Sequence, residues 1–178
     1  LVSGRHVRVT QSLTTTEPIV LPDNFTLEFT TGAGIARAED AVGAAIDVSA
    51  DDVTILDAAV LGTNPCSIRN FDPDYYNPAA SGHLYSPWKA TKDSAGIRWE
   101  EDAAVYVRPG AERLLVDGLV AHNLWGDGVT ITGGKDIALR DVHVRCAGRS
   151  GVSITEGENI RIADASFSGM FWWGLNLE

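Results

Sequence analysis

Gly128-Val129-Thr130-Ile131-Thr132, Gly151-Val152-Ser153-Ile154-Thr155 and Gly174-Leu175-Asn176-Leu177-Glu178 are one pattern written three times, with glycines 23 residues apart. A constant period in the twenties means that each repeat is one structural unit stacked on the next. The rest of the repeat keeps step. Leu114, Val116, Leu119 and Ala121 recur as Ile137, Leu139, Val142 and Val144, and again as Ile160, Ile162, Ala165 and Phe167. Apolar residues alternate with polar ones at period two, so the units are strands rather than helices. A strand, a glycine-marked corner, two more strands and another corner make one turn. The predicted fold is all-β: a right-handed parallel β-helix with a repeat of ~23 residues and about six coils. Leucine-rich repeats have a similar period, but their leucine signature is missing. An antiparallel sandwich would not need a constant period.

The chain has 178 residues and a formal net charge of -10. It is read as a single domain over 1–178. The acidic balance argues against a nucleic-acid role, because binding phosphates needs a basic stripe. No apolar run approaches the ~20 residues that span a bilayer. No signal peptide is visible, and the last strand ends where earlier repeats continue into a full coil. The expectation is a longer chain, a partner subunit such as a homotrimer mate, or a cap over that open edge. Cys66 and Cys146 are the only cysteines, and the sequence favours two buried or half-buried thiols over a disulfide.

Upstream, Val7 and Val9 read as a strand, Ile19 to Leu21 as another, and Phe25, Leu27 and Phe29 alternate inward after the turn Pro22-Asp23-Asn24. Gly43 to Val48 resembles the glycine-led strand, followed by Val53 and Ile55. The pattern stops over 63–95, an irregular insert rich in proline and tyrosine. Such a stretch in a compact repeat is more often functional than accidental. Gly96-Ile97-Arg98-Trp99-Glu100 re-enters the glycine-led pattern, which puts extra residues between Glu101 and Pro109. Residues one repeat apart sit one above the other, ~4.8 Å apart. The outward rows are then Arg98, Thr130, Ser153, Asn176 and Glu100, Thr132, Thr155, Glu178. The corner rows are Asp127, Ser150, Trp173 and Gly126, Arg149, Trp172.

The stretch from Leu124 to Glu178, with Leu21 to Ile35 as first coils, resembles the right-handed parallel β-helix proteins of the pectate-lyase-like superfamily. The resemblance implies an extracellular, cell-surface or virion protein that engages long polysaccharides along its outside. It includes pectate lyases and polygalacturonases, but also non-catalytic tailspike and adhesin modules. The polygalacturonase pattern would need paired Asp-Asp and Gly-His-Gly on successive coils. Here only Asp127 matches an acidic position.

Three residues are candidates for catalysis. Asp127 is the candidate carboxyl, although glycoside hydrolysis uses two and no stacked partner is visible for it. Arg98 and Arg149 are candidates to neutralise a uronate carboxylate in a lyase reaction. Trp125, Trp172, Trp173, Tyr85 and Trp88 are candidate sugar-stacking aromatics, with Asn176 and Glu100 as polar contacts. Trp172 and Trp173 cannot both face inward. No metal-ligand spacing appears. Calcium would need clustered carboxylates, and Asp51-Asp52 and Glu100-Glu101-Asp102 are the nearest approaches. Glu112, Lys135 and Glu158 stack as minus, plus, minus, and Asp117 sits under Arg140. The functional expectation is a polysaccharide-engaging β-helix, either a glycoside hydrolase or polysaccharide lyase, or a binding module.

Overall fold

A computed structural model describes residues 2–64, 101–170 and 172–178. Arg98, Glu100, Tyr85 and Trp88 lie outside the described residues. The chain winds as a parallel β-solenoid of about six turns. The strands are β1 (His6–Val9), β2 (Leu13–Thr15), β3 (Ile19–Leu21), β4 (Phe25–Phe29), β5 (Ile35–Arg37), β6 (Ile46–Val48), β7 (Val53–Leu56) and β8 (Ala59–Leu61). Beyond the insert come β9 (Val105–Val107), β10 (Glu112–Leu124), β11 (Val129–Ala147), β12 (Val152–Ser168) and β13 (Leu175–Leu177). All pair in parallel.

Three faces result. The first stacks β1, β4, β7 and the central parts of the long strands. The second stacks β2, β5, β8 and the later parts. The third stacks β3, β6, β9, the openings of β11 and β12, and β13. The register matches the sequence rows from Leu114 onward, with Leu114 paired with Ile137 and Ile137 with Ile160, except at Thr132, which a register shift pairs with Glu156 instead of the expected Thr155. Glu112, Lys135 and Glu158 stack, with Lys135 3.2 Å from Glu158. Arg140 lies 3.7 Å from Asp117.

The long strands bend through their corners without breaking. Each bend uses one residue in the left-handed region, where short polar side chains are tolerated. Before the first face the row is Asn24, Asp52, Arg113, Asp136 and Asn159, at φ 53, 56, 58, 55 and 54. Between the first and second faces it is Asp57, Gly118, Asp141 and Asp164. Asn159 donates its side-chain amide to Asp136, which ties the last two coils at the first of these corners. The inward rows fill one continuous core. Phe25, Val53, Leu114 and Ile137 form one column and Val105, Val129 and Val152 another, each residue at most 1% exposed.

The repeated glycine marks a close approach. A Cβ on Gly128 would lie 2.4 Å from the Gly151 oxygen and equally close to Val144. One on Gly151 would lie 2.3 Å from the Phe167 ring. The third face therefore turns its corner against the core side chains of the next coil, and a side chain there overfills the interior.

Two expectations are corrected. The strand that stacks beneath Val129–Ile131 is Val105–Val107, not the segment after Gly96. It stacks in turn on Ile46–Val48. Tyr106, rather than Arg98, thus shares the row of Asp47, Thr130, Ser153 and Asn176, and Arg108 lies two residues further on. The stretch expected to hold surplus residues, 101–109, instead holds β9. The reason lies in the corner, which is Ala103-Ala104 in this coil rather than a polar residue and glycine. Second, Cys146 is not a free thiol but is disulfide-bonded. The only other cysteine is Cys66, which lies outside the described residues, two positions past Asn64. The Asn64 amide donates to the Leu124 oxygen at 2.9 Å, so coil stacking brings together chain segments that are far apart in sequence.

Two outcomes follow. Gly128→Ala lowers unfolding free energy by about 2–3 kcal/mol, read as a lower urea midpoint; an unchanged midpoint contradicts the close approach. Thiol titration of the denatured, unreduced protein finds no reactive cysteine, and reduction releases both; titratable thiol before reduction contradicts the disulfide.

Candidate functional site

The corner between the second and third faces gathers four of the residues singled out in the sequence, Asp127, Arg149, Trp172 and Trp173. Its backbone forms a ladder along the solenoid. Arg149 N–H donates to Gly126 at 3.1 Å, and Trp172 N–H to Arg149 at 3.0 Å. One position on, Gly128 N–H donates to Ser150 at 2.9 Å, and Gly151 N–H to Trp173 at 2.9 Å. Gly126, Arg149 and Trp172 therefore stack, as do Asp127, Ser150 and Trp173.

Asp127 is fully buried (0% exposed). One carboxylate oxygen accepts the Ser150 N–H at 2.8 Å and the other accepts the Thr130 hydroxyl at 3.1 Å. The Arg149 Nε stands 3.8 Å from the same carboxylate. A buried carboxylate is stable only when paired and hydrogen-bonded, and this one has both. It fastens the corner of one coil to the next, and in this geometry its oxygens face protein groups rather than solvent.

Arg149 has a side chain 16% exposed, and its guanidinium carbon lies 4.9 Å from the Trp172 ring centroid. The guanidinium thus covers one indole, a cation–π contact that strengthens as water is excluded. Trp172 is half-buried, and Trp173 beside it is 55% exposed. Their ring centroids are 5.6 Å apart with planes tilted by 57°. Ser150 and Asp127, the residues below Trp173 in its row, are fully buried, so Trp173 is open to solvent because no described coil stacks above it. Asn176, on the adjoining strand, donates to the Glu178 carboxylate at 2.7 Å and reaches Ser153 Oγ at 3.4 Å.

Trp125 stands apart from this group. It is buried, its indole N–H donates to Thr63 Oγ1 at 2.9 Å, and its backbone N–H donates to the Asp102 carboxylate at 2.9 Å. It braces the coil below rather than offering a ring to solvent. The corner therefore unites Asp127, Arg149, Trp172 and Trp173, with Asn176 adjacent.

A second polar group, absent from the sequence reading, lies on the outward side of the third face. Arg108 Nε and Nη2 donate to one Asp47 oxygen at 2.9 and 2.7 Å, and Nη1 donates to Glu101 at 3.3 Å. Its guanidinium carbon lies 4.0 Å from the Tyr106 ring centroid. Donating to the Asp47 carboxylate holds the Arg108 pKa well above the usual arginine range. The signal was available: Ala44-Ala45-Ile46-Asp47-Val48 and Ala103-Ala104-Val105-Tyr106-Val107 are the same pattern.

The acidic groupings are spent on arginine and on backbone. Arg113 donates to Asp52 at 2.6 Å and Glu112 at 2.7 Å, and lies 3.4 Å from Asp51. Hydrogen bonding to Arg113 holds the Asp52 carboxyl below the usual range. Among the described residues no group of three or more His, Cys, Asp or Glu is placed to hold a metal ion.

No protein-family model matches the chain, and no curated protein matches it. Among solved structures, the chain is similar to the crystal structure of a putative glycosyl hydrolase from Parabacteroides merdae. That structure is 11% identical, with 96% of this chain and 82% of that chain covered and a TM-score of 0.45. A likeness of this size does not bear on the chemistry of the corner.

Asp127→Ala strips the Ser150 N–H of its acceptor and Arg149 of this carboxylate. The expected cost is about 2–4 kcal/mol, seen as a lower urea midpoint, with Asp127→Asn milder because it keeps an acceptor. An unchanged midpoint in Asp127→Ala would show that the carboxylate does not fasten the coils.

Proposed function

We propose that the protein binds a polysaccharide outside the cell, or on a cell or virion surface, by laying it against the corner of the last two coils. The single observation that carries this reading is Trp173. An indole left 55% exposed beside a second indole braced by Arg149 presents a rigid apolar plane with polar groups at its edge. Such surfaces suit ligands that offer both C–H faces and hydroxyls, as sugars do. The platform is preorganised, because Trp172 is in contact with both the Arg149 guanidinium and the Trp173 ring. The disulfide at Cys146 supports an oxidising compartment.

At this corner the chemistry is binding without cleavage, since the Asp127 oxygens are turned to Ser150, Thr130 and Arg149. Cleavage is the second reading, and the group on Arg108 favours it. Asp47 and Glu101 both contact one planar guanidinium, which brings two carboxylates into one group, as glycoside hydrolysis requires. That hydrolase centre would sit on the third face, below the binding corner.

Calorimetric titration with a panel of polysaccharides is expected to find a ligand whose affinity falls at least about tenfold in Trp173→Ala, the loss of one stacking contact of ~1.4 kcal/mol or more. Retained affinity in Trp173→Ala sinks the binding reading. So does a trimer, seen by sedimentation, that dissociates in the same variant, because the indole would then belong to an interface. Reducing ends released by the wild type and lost in Asp47→Asn and Glu101→Gln establish the cleavage reading. No products from any bound glycan removes it.

A further inference from the structure

We infer that the glycan held at this corner is uncharged, a neutral polysaccharide rather than a polyuronate; this rests on the binding reading above and narrows it to a substrate class.

A polyuronate carries a carboxylate on every sugar and is recognised where cations stand ready to accept it. The cation of this corner is already engaged. Arg149 stands 3.8 Å from the buried Asp127 carboxylate, lies over Trp172 and keeps only 16% of its side chain exposed. Binding a uronate would draw this arginine away from a fully buried carboxylate, which is unfavourable.

Among the described residues, most other cations are already paired. Arg108 is bonded to Asp47 and Glu101, and Arg113 to Asp52 and Glu112. Lys135 pairs with Glu158, Arg140 with Asp117 and Arg8 with Glu28. Arg37 is buried, and donates to Thr15 Oγ1 and to the oxygens of Glu17, Val42 and Gly43. Arg161 lies on the first face, Arg5 precedes the first coil, and Arg145 is an exposed residue of the second face, four positions before Arg149. Among the described residues, the third face next to Trp173 offers the Asn176 amide and the Glu178 carboxylate.

Those two groups suit hydroxyls. An amide both donates and accepts, and a carboxylate accepts from two neighbouring hydroxyls. Asn176 follows Trp173 by three residues, roughly 10 Å along a strand, so a sugar stacked on the indole and its neighbour would both be within reach. The same Glu178 repels a uronate. So does the whole chain, with 24 acidic against 14 basic residues and a net charge of -10, because an acidic field lowers the local concentration of polyanions.

The test titrates the wild-type protein with neutral chains (a glucan, a mannan, a xylan, a galactan) and with polygalacturonate and alginate, at low and at about tenfold higher salt. The expected result is a neutral ligand bound at least about tenfold more tightly than either polyuronate, little changed by salt, and weakened in Trp173→Ala. Glu178→Lys is expected to raise polyuronate binding at low salt only. A polyuronate bound as tightly as the best neutral chain, and lost in Trp173→Ala, overturns the inference while leaving the binding reading standing. Absence of any Trp173-dependent binding overturns both.

Discussion

Every feature of this molecule depends on one constraint: each coil must find its hydrogen-bond partners in the coil above and below, in parallel and in register. A parallel strand has no hairpin to set its alignment, so side-chain columns set it instead. A slip of one residue would turn the column Leu114, Ile137, Ile160 outward and Glu112, Lys135, Glu158 out of line. The apolar columns and the charge column thus reinforce one alignment. The ion pairs are individually weak at the surface, and the burial of whole columns contributes most of the stability.

The corners inherit their chemistry from that constraint. A bend that keeps both strands hydrogen-bonded must use the left-handed region at one residue, which is why Asp and Asn recur at Asp52, Asp136, Asn159, Asp57, Asp141 and Asp164. The third-face corner must also let backbone approach the next coil's Val144 and Phe167, which leaves room only for Gly128 and Gly151. Residues beside these glycines serve two ends. Asp127 closes one coil on the next, and in doing so it positions Arg149, which braces Trp172 and leaves Trp173 to solvent. Structure and candidate binding surface therefore share the same few side chains.

Much of this was legible in the sequence, and the physical reason is periodicity. From Leu114 onward each residue repeats the environment of the one below it, so the rows through Arg140, Val142 and Val144 and the corner rows at Asp127 and Arg149 could be written out beforehand. Legibility failed where the repeat was interrupted. The corner before Val105 lacks the glycine, and Gly96 offered a better-looking match, so Tyr106 and Arg108 were assigned no place and their meeting with Asp47 was missed. The burial of Asp127 and Trp125 was also not legible. Both stand at a corner, where outward and inward are decided by the neighbouring coil and not by period two. The disulfide at Cys146 escaped for a related reason: pairing depends on which segments the stacking brings together, not on separation along the chain.

The register through β9 is the central claim, because the third face and both candidate sites are laid out on it. Methyl-labelled nuclear Overhauser spectroscopy tests it without altering the protein. The column Ile46, Val105, Val129, Val152 predicts cross-peaks from the Val105 methyls to those of Ile46 and Val129. Cross-peaks from Ile97 to Val129, with none from Val105, would contradict it and would move Tyr106 and Arg108 off the face on which they are placed here.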